Sequence, residues 1–414
     1  MSSSSLGWRV VTYLSFSLLL LSTVMNMYTV FGDKYLDVYT CYFAVFLYLS
    51  LKFFNVRTNQ REVLFPREFA LYFFYTFLVS LFTNISSTGR LISILTLIII
   101  ILSYIMYWDT YRTGKFVKFY TSLAVFIVGF FFIQVIVDAV TGMNIMGVIP
   151  GLSTSQTSGE NALNIRYDNI RYCSLFSEPS HMAQFLMPLF IFLLFDKSER
   201  IKYRMLLIVF LFLSLLLLKS GTAIVLLIPS AVFFVYTYTR RTQNKFLKIL
   251  LMSFMIVIGV GLVGWYLSSQ MGAFVSERGA EIFEGINADQ GTSGFVRIWR
   301  GYFVYDDFSL SEKIFGNDSY NDIIKHVYHS NMELYLEGFA LTYFNAVQFI
   351  LIHSGLIGFL LFLYFLYKQW KGNTVCGKCL ITTLFLLMLI ESVYGSAIMA
   401  TFLLMAQSQK TIKY

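Results

Sequence analysis

Runs of about 20 apolar residues recur along this chain, and they constrain its fold more than any motif does. A hydrocarbon core about 30 Å thick is crossed by about 20 helical residues, and within it the backbone amides must be satisfied inside the element. Repeated runs of that length specify membrane-spanning helices. Composition agrees: 57% of the 414 residues are hydrophobic and 13% are charged, which excludes an ordinary soluble domain. The runs predict twelve spans, roughly 10–31, 35–51, 69–88, 91–108, 119–140, 176–195, 205–218, 221–238, 249–268, 345–367, 379–391 and 393–408. The first is too long for a secretory signal peptide, and no small-residue cleavage site follows it. The expected fold is an all-α polytopic membrane protein of about 12 transmembrane helices, one integral membrane domain over 1–414.

The net charge of +8 is informative once it is split by side. Basic residues cluster at Arg9, after the even-numbered spans, and at Lys410 and Lys413. That side carries 21 of the 31 basic residues against five acids (Glu62, Glu68, Asp109, Asp196, Glu199), a net of +16, leaving −8 for the rest. By the positive-inside rule it is cytoplasmic, so both termini are expected inside. Two long connections then fall outside. The first extracytoplasmic loop, 141–175, holds Pro150-Gly151 and a run of Ser, Thr, Asn and Gly, and reads as loop. The second, 269–344, is long enough for short helices of its own, with apolar residues near helical spacing over 295–305 and 331–344. The seventh and eleventh spans are short. Short spans mark sites in some membrane proteins. Alternatively, a snorkelling Lys219 and a tilted partner make up the length.

The polar stretch Arg166 to His181, RYDNIRYCSLFSEPSH, leads into the sixth span. Arginine holds phosphate or carboxylate through a planar fork. Proline suits the first turn of a helix, and Glu178 before it complements the helix dipole. The stretch reads as an anion-gripping loop ending on a membrane helix, or as a helix anchored at lipid headgroups by Arg166 and Arg171. Glu178 can pair with Arg171, orient it, or act as a base. In the second loop, Arg297 and Arg300 flank Trp299 and would share a face if that stretch is helical. Aromatic faces stack on sugars and arginine forks grip phosphates, so the group suits a sugar-phosphate ligand. The alternative is an interfacial belt with salt bridges to Asp306 and Asp307.

His326, His329 and Glu333 fall at i, i+3 and i+7, a spacing that could bind zinc, but no third His or Cys lies nearby. His329 is the better candidate for a general base or a diphosphate contact, His326 for a structural role, and His353 for a packed or helix-bridging residue. Asp138 and Glu391 lie in spans near their outer ends. Cys376 and Cys379 form a lone CxxC without a second pair. No P-loop, nucleophile elbow, acidic metal pair or dinucleotide fingerprint is present, so neither a metal nor a cofactor is expected. No nucleic-acid partner is expected. A transfer reaction outside the membrane would draw on a lipid-linked donor.

Arg171-x-x-Ser-Leu-Phe-x-Glu-Pro-Ser-His-x-Ala183 resembles the R-x-x-G-x-F-x-E-P-x-x-x-A block of bacterial O-antigen polymerases (Wzy-type) and related ligases, with Ser174 where the family often has Gly. Lys219-Ser-Gly-Thr-Ala223 resembles the family's S-R-T/S-G turn, with Lys219 one place before the Ser and the Arg missing. Ser293-Gly-Phe-Val-Arg297 and Ile314-Phe-Gly316 resemble its second-loop arginine and the F/G-x-G segment that follows. Asn345 through Gly355-Leu-Ile-Gly358 resembles its entry into the next span.

The resemblance implies a GT-C-like helical fold and a metal-independent glycosyltransferase in the plasma (inner) membrane. Its substrates would be undecaprenyl-diphosphate-linked oligosaccharides. Its partners would be the lipid bilayer, a flippase and a chain-length regulator. Arg171 and Arg297 would stabilise the leaving diphosphate, supported by Arg166 and Arg300, with Trp299 and Lys219 as further substrate contacts. Glu178 and His329 would complete the catalytic set. An O-antigen ligase is the near alternative. A flippase is the alternative from another class; it would show repeat symmetry and mid-membrane polar residues, and no repeat is visible.

Overall fold

A computed structural model of the chain describes residues 66–83, 115–143, 171–196, 201–241, 297–330 and 343–411, with scattered positions among 14–50 and at 145, 147, 153, 154 and 332. The spans expected at 91–108 and 249–268 lie outside the described residues, as do Arg166 and Glu333. The described chain is mainly helical, as expected. Three helices are long and apolar enough to cross a membrane: Phe116–Thr141, Gly221–Arg240 and Ala346–Trp370. Pro179–Phe195, Arg204–Leu217, Val375–Ile390 and Ala397–Gln409 are shorter and apolar.

The chain divides into two compact units. One comprises 1–66, 95–223 and 395–414, the other 67–94 and 224–394. In the first unit, strands β1 (Tyr28–Val30), β2 (Lys34–Tyr35) and β3 (Ser153–Thr154) form a small antiparallel sheet in the order β2-β1-β3. Thr29 faces Tyr35 on one side and Ser153 on the other. This corrects two expectations. The first apolar run, predicted helical to residue 31, ends in a strand, and Ser153–Thr154 of the first loop is paired rather than plain loop. A contact distant in sequence accompanies it: Tyr28 is fully buried and its hydroxyl donates to Gly147 O at 3.4 Å, tying the end of the run to the first loop.

Helix α2 (Lys115–Thr141) of the same unit packs against α3 (Pro179–Phe195) and α4 (Arg204–Leu217), and α11 (Ala397–Thr411) packs on α3. Helix α3 is apolar on every side and nearly all of it is buried, as a helix at the centre of a unit must be. Tyr120 of α2 donates to Phe185 O of α3. At the other end Gln409 Nε2 donates to Asp196 Oδ2 at 2.6 Å, holding α11 to the C-cap of α3.

The second unit is built on α9 (Ala346–Trp370), against which α1 (Arg67–Thr83), α6 (Arg300–Asp306), α7 (Leu310–Phe315) and α10 (Val375–Ile390) pack. Helix α8 (Tyr320–His329) packs on α6. Helix α5 (Gly221–Arg241) begins in the first unit and continues in the second. Aromatic rings carry the α1–α9 contact: Phe69 on Phe365 at 4.8 Å and Tyr72 on Phe362 at 5.1 Å.

The span predicted at 345–367 is not one continuous helix. It breaks at Gly355, where φ is 63° and ψ is −171°, and the turn after α7 fills the break. Gly316 packs directly on Gly355, and Asn317 N–H donates to Ile352 O at 2.9 Å. In a continuous helix the Ile352 carbonyl would accept from residue 356, so the inserted turn supplies the partner that the break removes.

Candidate functional site

Short helices in the second long connection set out the most chemically organised group in the described chain. Val304 and Phe308 of the α6 region, Ile323 and Val327 of α8, and Met332, Phe344 and Ile352 form one buried apolar cluster. Each such side chain gains about 1.5–3 kcal/mol on leaving water, enough to make this stretch a packed body rather than a loop. The core fixes α6 and α8 side by side, which brings Asp307, the C-cap of α6, under the two histidines of α8.

Asp307 Oδ2 stands 2.8 Å from His326 Nδ1, and Oδ1 stands 2.5 Å from His329 Nδ1. His326 Nε2 faces Glu312 Oε1 at 3.4 Å, and the ring packs on Phe308 with centroids 4.5 Å apart. Both ring nitrogens of His326 are therefore engaged. His329 uses one nitrogen, and its side chain is 81% exposed. Burial alone would raise the Asp307 carboxyl, but the hydrogen bonds and charges of His326 and His329 outweigh it and hold it below the usual range. Glu312 is likewise lowered on balance: burial opposes, while Ser309, Asn317 and His326 prevail. Ser309 and Glu312 form a reciprocal capping box at the start of α7, so Glu312 is placed by the helix it caps.

The zinc spacing read from His326, His329 and Glu333 acquires different partners. Glu333 is outside the described residues, and the two histidines share a carboxylate. Ligands around tetrahedral zinc stand roughly 3.4 Å apart, whereas the His–Asp contacts are 2.5 and 2.8 Å, the spacing of hydrogen bonds. Among the described residues no group of three or more His, Cys, Asp or Glu is arranged to hold a metal ion. Cys376 and Cys379 are both buried.

Arg297 and Arg300 do not share a face. The helix is interrupted at Trp299, and the two side chains part. Arg297 Nη1 pairs with Glu391 Oε1 at 2.8 Å, the arginine 23% and the glutamate 5% exposed. Asn345 holds the same backbone: its Nδ2 donates to Arg297 O at 2.8 Å and to Leu389 O at 2.9 Å. Gln348 Nε2 donates to Ile298 O at 2.7 Å. Arg300 turns inward. It is 0% exposed, donates to Tyr343 O, and lies over the Phe344 ring at 5.5 Å. Burial pulls its guanidinium down to about 10, so it stays charged at neutral pH. The expected water-facing role of Arg300 is therefore corrected to that of a core residue. Asp306 and Asp307, read as partners for these arginines, pair instead with Lys313 at 3.2 Å and with the histidines. Trp299 is half-buried against the apolar cluster and meets Tyr302 edge-on at 6.5 Å.

Arg171, Glu178 and Lys219 belong to the first unit, and Arg297, Trp299, Arg300 and His329 to the second. Arg171 is half-buried ahead of a tight turn. Ser174 in that turn has φ 56°, a left-handed conformation that favours glycine. Gln134 of α2 brackets the turn: Oε1 accepts from Ser174 N at 2.9 Å, and Nε2 donates to Ile145 O at 3.0 Å. Burial pushes the Tyr172 phenol up to about 12, helped by its hydrogen bond to Asp138 and the charge there. Glu178 is the N-cap residue of α3, with Pro179 following as expected, and it accepts from Ser180 Oγ at 3.0 Å. Lys219 has φ 49° in the sharp turn joining α4 and α5. His353 bridges as expected: Nδ1 meets Asp318 Oδ1 at 2.6 Å, and the ring stacks on Phe349.

Reading the sequence missed Asp307 as a histidine partner, Glu312, and the brace formed by Asn345 and Gln348. A signal for the brace is present, because Asn followed three residues later by Gln is a capping pattern. Comparison with known protein families and with curated protein sequences finds no match for the chain.

Proposed function

We propose that this chain is a polysaccharide repeat-unit polymerase of the O-antigen type, a GT-C-like membrane protein of about 12 spans with both termini in the cytoplasm. It joins oligosaccharides carried on undecaprenyl diphosphate at the outer face of the plasma membrane, without metal or cofactor. The growing chain passes from its lipid diphosphate to the non-reducing end of an incoming unit. The acceptor hydroxyl attacks the anomeric carbon in line, and the departing diphosphate takes up charge that preorganised arginines stabilise. Arg171 and Arg297 are assigned that role by their places in the sequence pattern, Arg297 with its backbone braced by Asn345 and its fork oriented by Glu391.

The observation that carries the reading is His329. It is exposed on the second long connection, with one ring nitrogen held by a carboxylate, as a residue that accepts or relays a proton should be. The three membrane-length helices and the alternating charge of the connections support the setting. Deleting the gene and resolving the glycans on a gel tests the proposal. Single repeat units on the lipid core are the expected outcome. Full chains that form but stay unattached would identify a ligase, and units trapped inside the cell would identify a flippase.

A further inference from the structure

We propose that Asp307 is the positioning residue of this site: it fixes the tautomer of His329, so that Nε2 is the atom that takes the acceptor's proton. The inference rests on the catalytic reading of His329 given above.

Three features of the geometry lead to it. First, Asp307 contacts Nδ1 of His329 and not Nε2. A carboxylate accepts, so the neutral ring carries its proton on Nδ1 and presents a bare lone pair at Nε2. Second, the two histidines are not equivalent. His326 has both nitrogens between carboxylates, Asp307 and Glu312, and its ring lies against Phe308, so it has no open position for a substrate. His329 has its ring in solvent. His326 also occupies Oδ2 of Asp307, leaving Oδ1 directed at His329. Third, the spacing is set by buried contacts. Val304 and Phe308 on one side, and Ile323 and Val327 on the other, lock α6 to α8. A carboxylate so mounted can orient an imidazole more closely than one on a free loop could.

The remaining charges on the packed elements have their own partners. Lys313 pairs with Asp306, Lys325 with Asp322, His353 with Asp318, and Arg300 is buried on Tyr343 O. Asp307 is therefore the carboxylate that faces His329 among the described residues.

The acceptor hydroxyl oxygen bonds to the anomeric carbon while its proton passes to His329 Nε2. The bond from that carbon to the diphosphate oxygen breaks, and the electron pair leaves with the diphosphate. The imidazolium formed is stabilised by Asp307 and later gives its proton to water.

The chain holds four histidines, so nitrogen-15 histidine spectra of the purified protein in lipid nanodiscs resolve each ring, with His329→Gln assigning its own signal. In the wild type, His329 is expected as the Nδ1–H tautomer when neutral. Finding Nε2–H there overturns the proposal without any variant. Asp307→Asn should mix or reverse the tautomer, lower kcat about a hundredfold or more with little change in KM, and shift the acid limb of the pH profile; Asp307→Glu should recover part of kcat. If His329→Gln is inactive while Asp307→Asn keeps both tautomer and rate, the positioning role falls and the catalytic reading stands. If His329→Gln turns over lipid-linked units like the wild type, the catalytic reading falls and takes this inference with it.

Discussion

Gly316 and Gly355 meet backbone to backbone, 39 residues apart in sequence, at the break in α9. A Cβ on Gly316 would stand 2.6 Å from Gly355 N, and one on Gly355 would stand 2.4 Å from Gly316 N. Gly316 has φ 90° and ψ 168°, and Gly355 has φ 63° and ψ −171°. Both lie in a region that is essentially restricted to glycine. Asn317, Asp318 and Thr83 complete the anchor: Asn317 N–H serves Ile352 O, and Asp318 N–H donates to Thr83 Oγ1 at 3.0 Å. The second long connection is thus pinned to α1 and α9 beside the His–Asp cluster it carries.

Gly316→Ala and Gly355→Ala should each lose about 2–5 kcal/mol, from backbone strain and from overpacking against main-chain atoms that cannot move aside. The double variant should lose less than the sum, since the first Cβ already separates the two strands of chain. Thermal unfolding in nanodiscs measures this. Wild-type melting of both single variants would refute the contact.

Arg171→Ala and Arg297→Ala should each cut polymer formation about a hundred- to thousandfold, the usual loss for one charged donor aimed at developing negative charge. Lysine keeps the charge but loses the planar fork, so both lysine variants should also fail. Complementation at matched membrane expression reads out chain length. Wild-type chains from both lysine variants would discard the bidentate grip, and wild-type chains from the alanine variants would discard the catalytic role. Arg297→Ala also removes the ion pair with Glu391, so Glu391→Gln separates a stability loss from a rate loss.

Acid should release the second connection at a predictable point. Asp307 and Glu312 have carboxyls held below their ordinary values of 3.8 and 4.5. A group whose pKa is depressed by folding contributes stability that is present above its unfolded value and lost as pH falls through the folded one. The carboxylate contribution should be intact at about pH 5, begin to fall as the pH drops through those ordinary values, and be lost only below the depressed ones. Hydrogen exchange over 300–329, against 375–390 as internal reference, follows it. An unchanged acid transition in the Asp307→Asn, Glu312→Gln double variant would show that other groups govern it.

The topology can be read with single cysteines. Cys173, Cys376 and Cys379 are buried, and the fourth cysteine, Cys41, is replaced by Ser in the parent used for labelling. Cysteine at Ser155 or Asn287 should react with an impermeant reagent on intact cells, whereas Thr242 should react after permeabilisation. Labelling at Thr242 alone in intact cells would invert the assignment.

The sequence by itself determined the helical class and, among the described residues, the places of the long apolar helices, because a run of apolar residues long enough to span the membrane has few other ways to satisfy its backbone. It also marked Glu178-Pro179 as a helix start, and Gly316, Gly355 and Asn345 as parts of a pattern. The tertiary structure decided what those residues meet. Arg297 and Arg300 look alike in sequence, yet an interruption at Trp299 sends one to Glu391 and the other into the core. His326 and His329 share a helix face, and only the placement of Asp307 and Glu312 makes one engaged at both nitrogens and the other open. Gly355 breaks a span that hydropathy reads as continuous, because average apolarity is blind to a carbonyl whose partner comes from elsewhere in the chain. Local pattern fixes elements through short-range backbone and hydration terms, whereas pairing depends on which distant elements packing brings together.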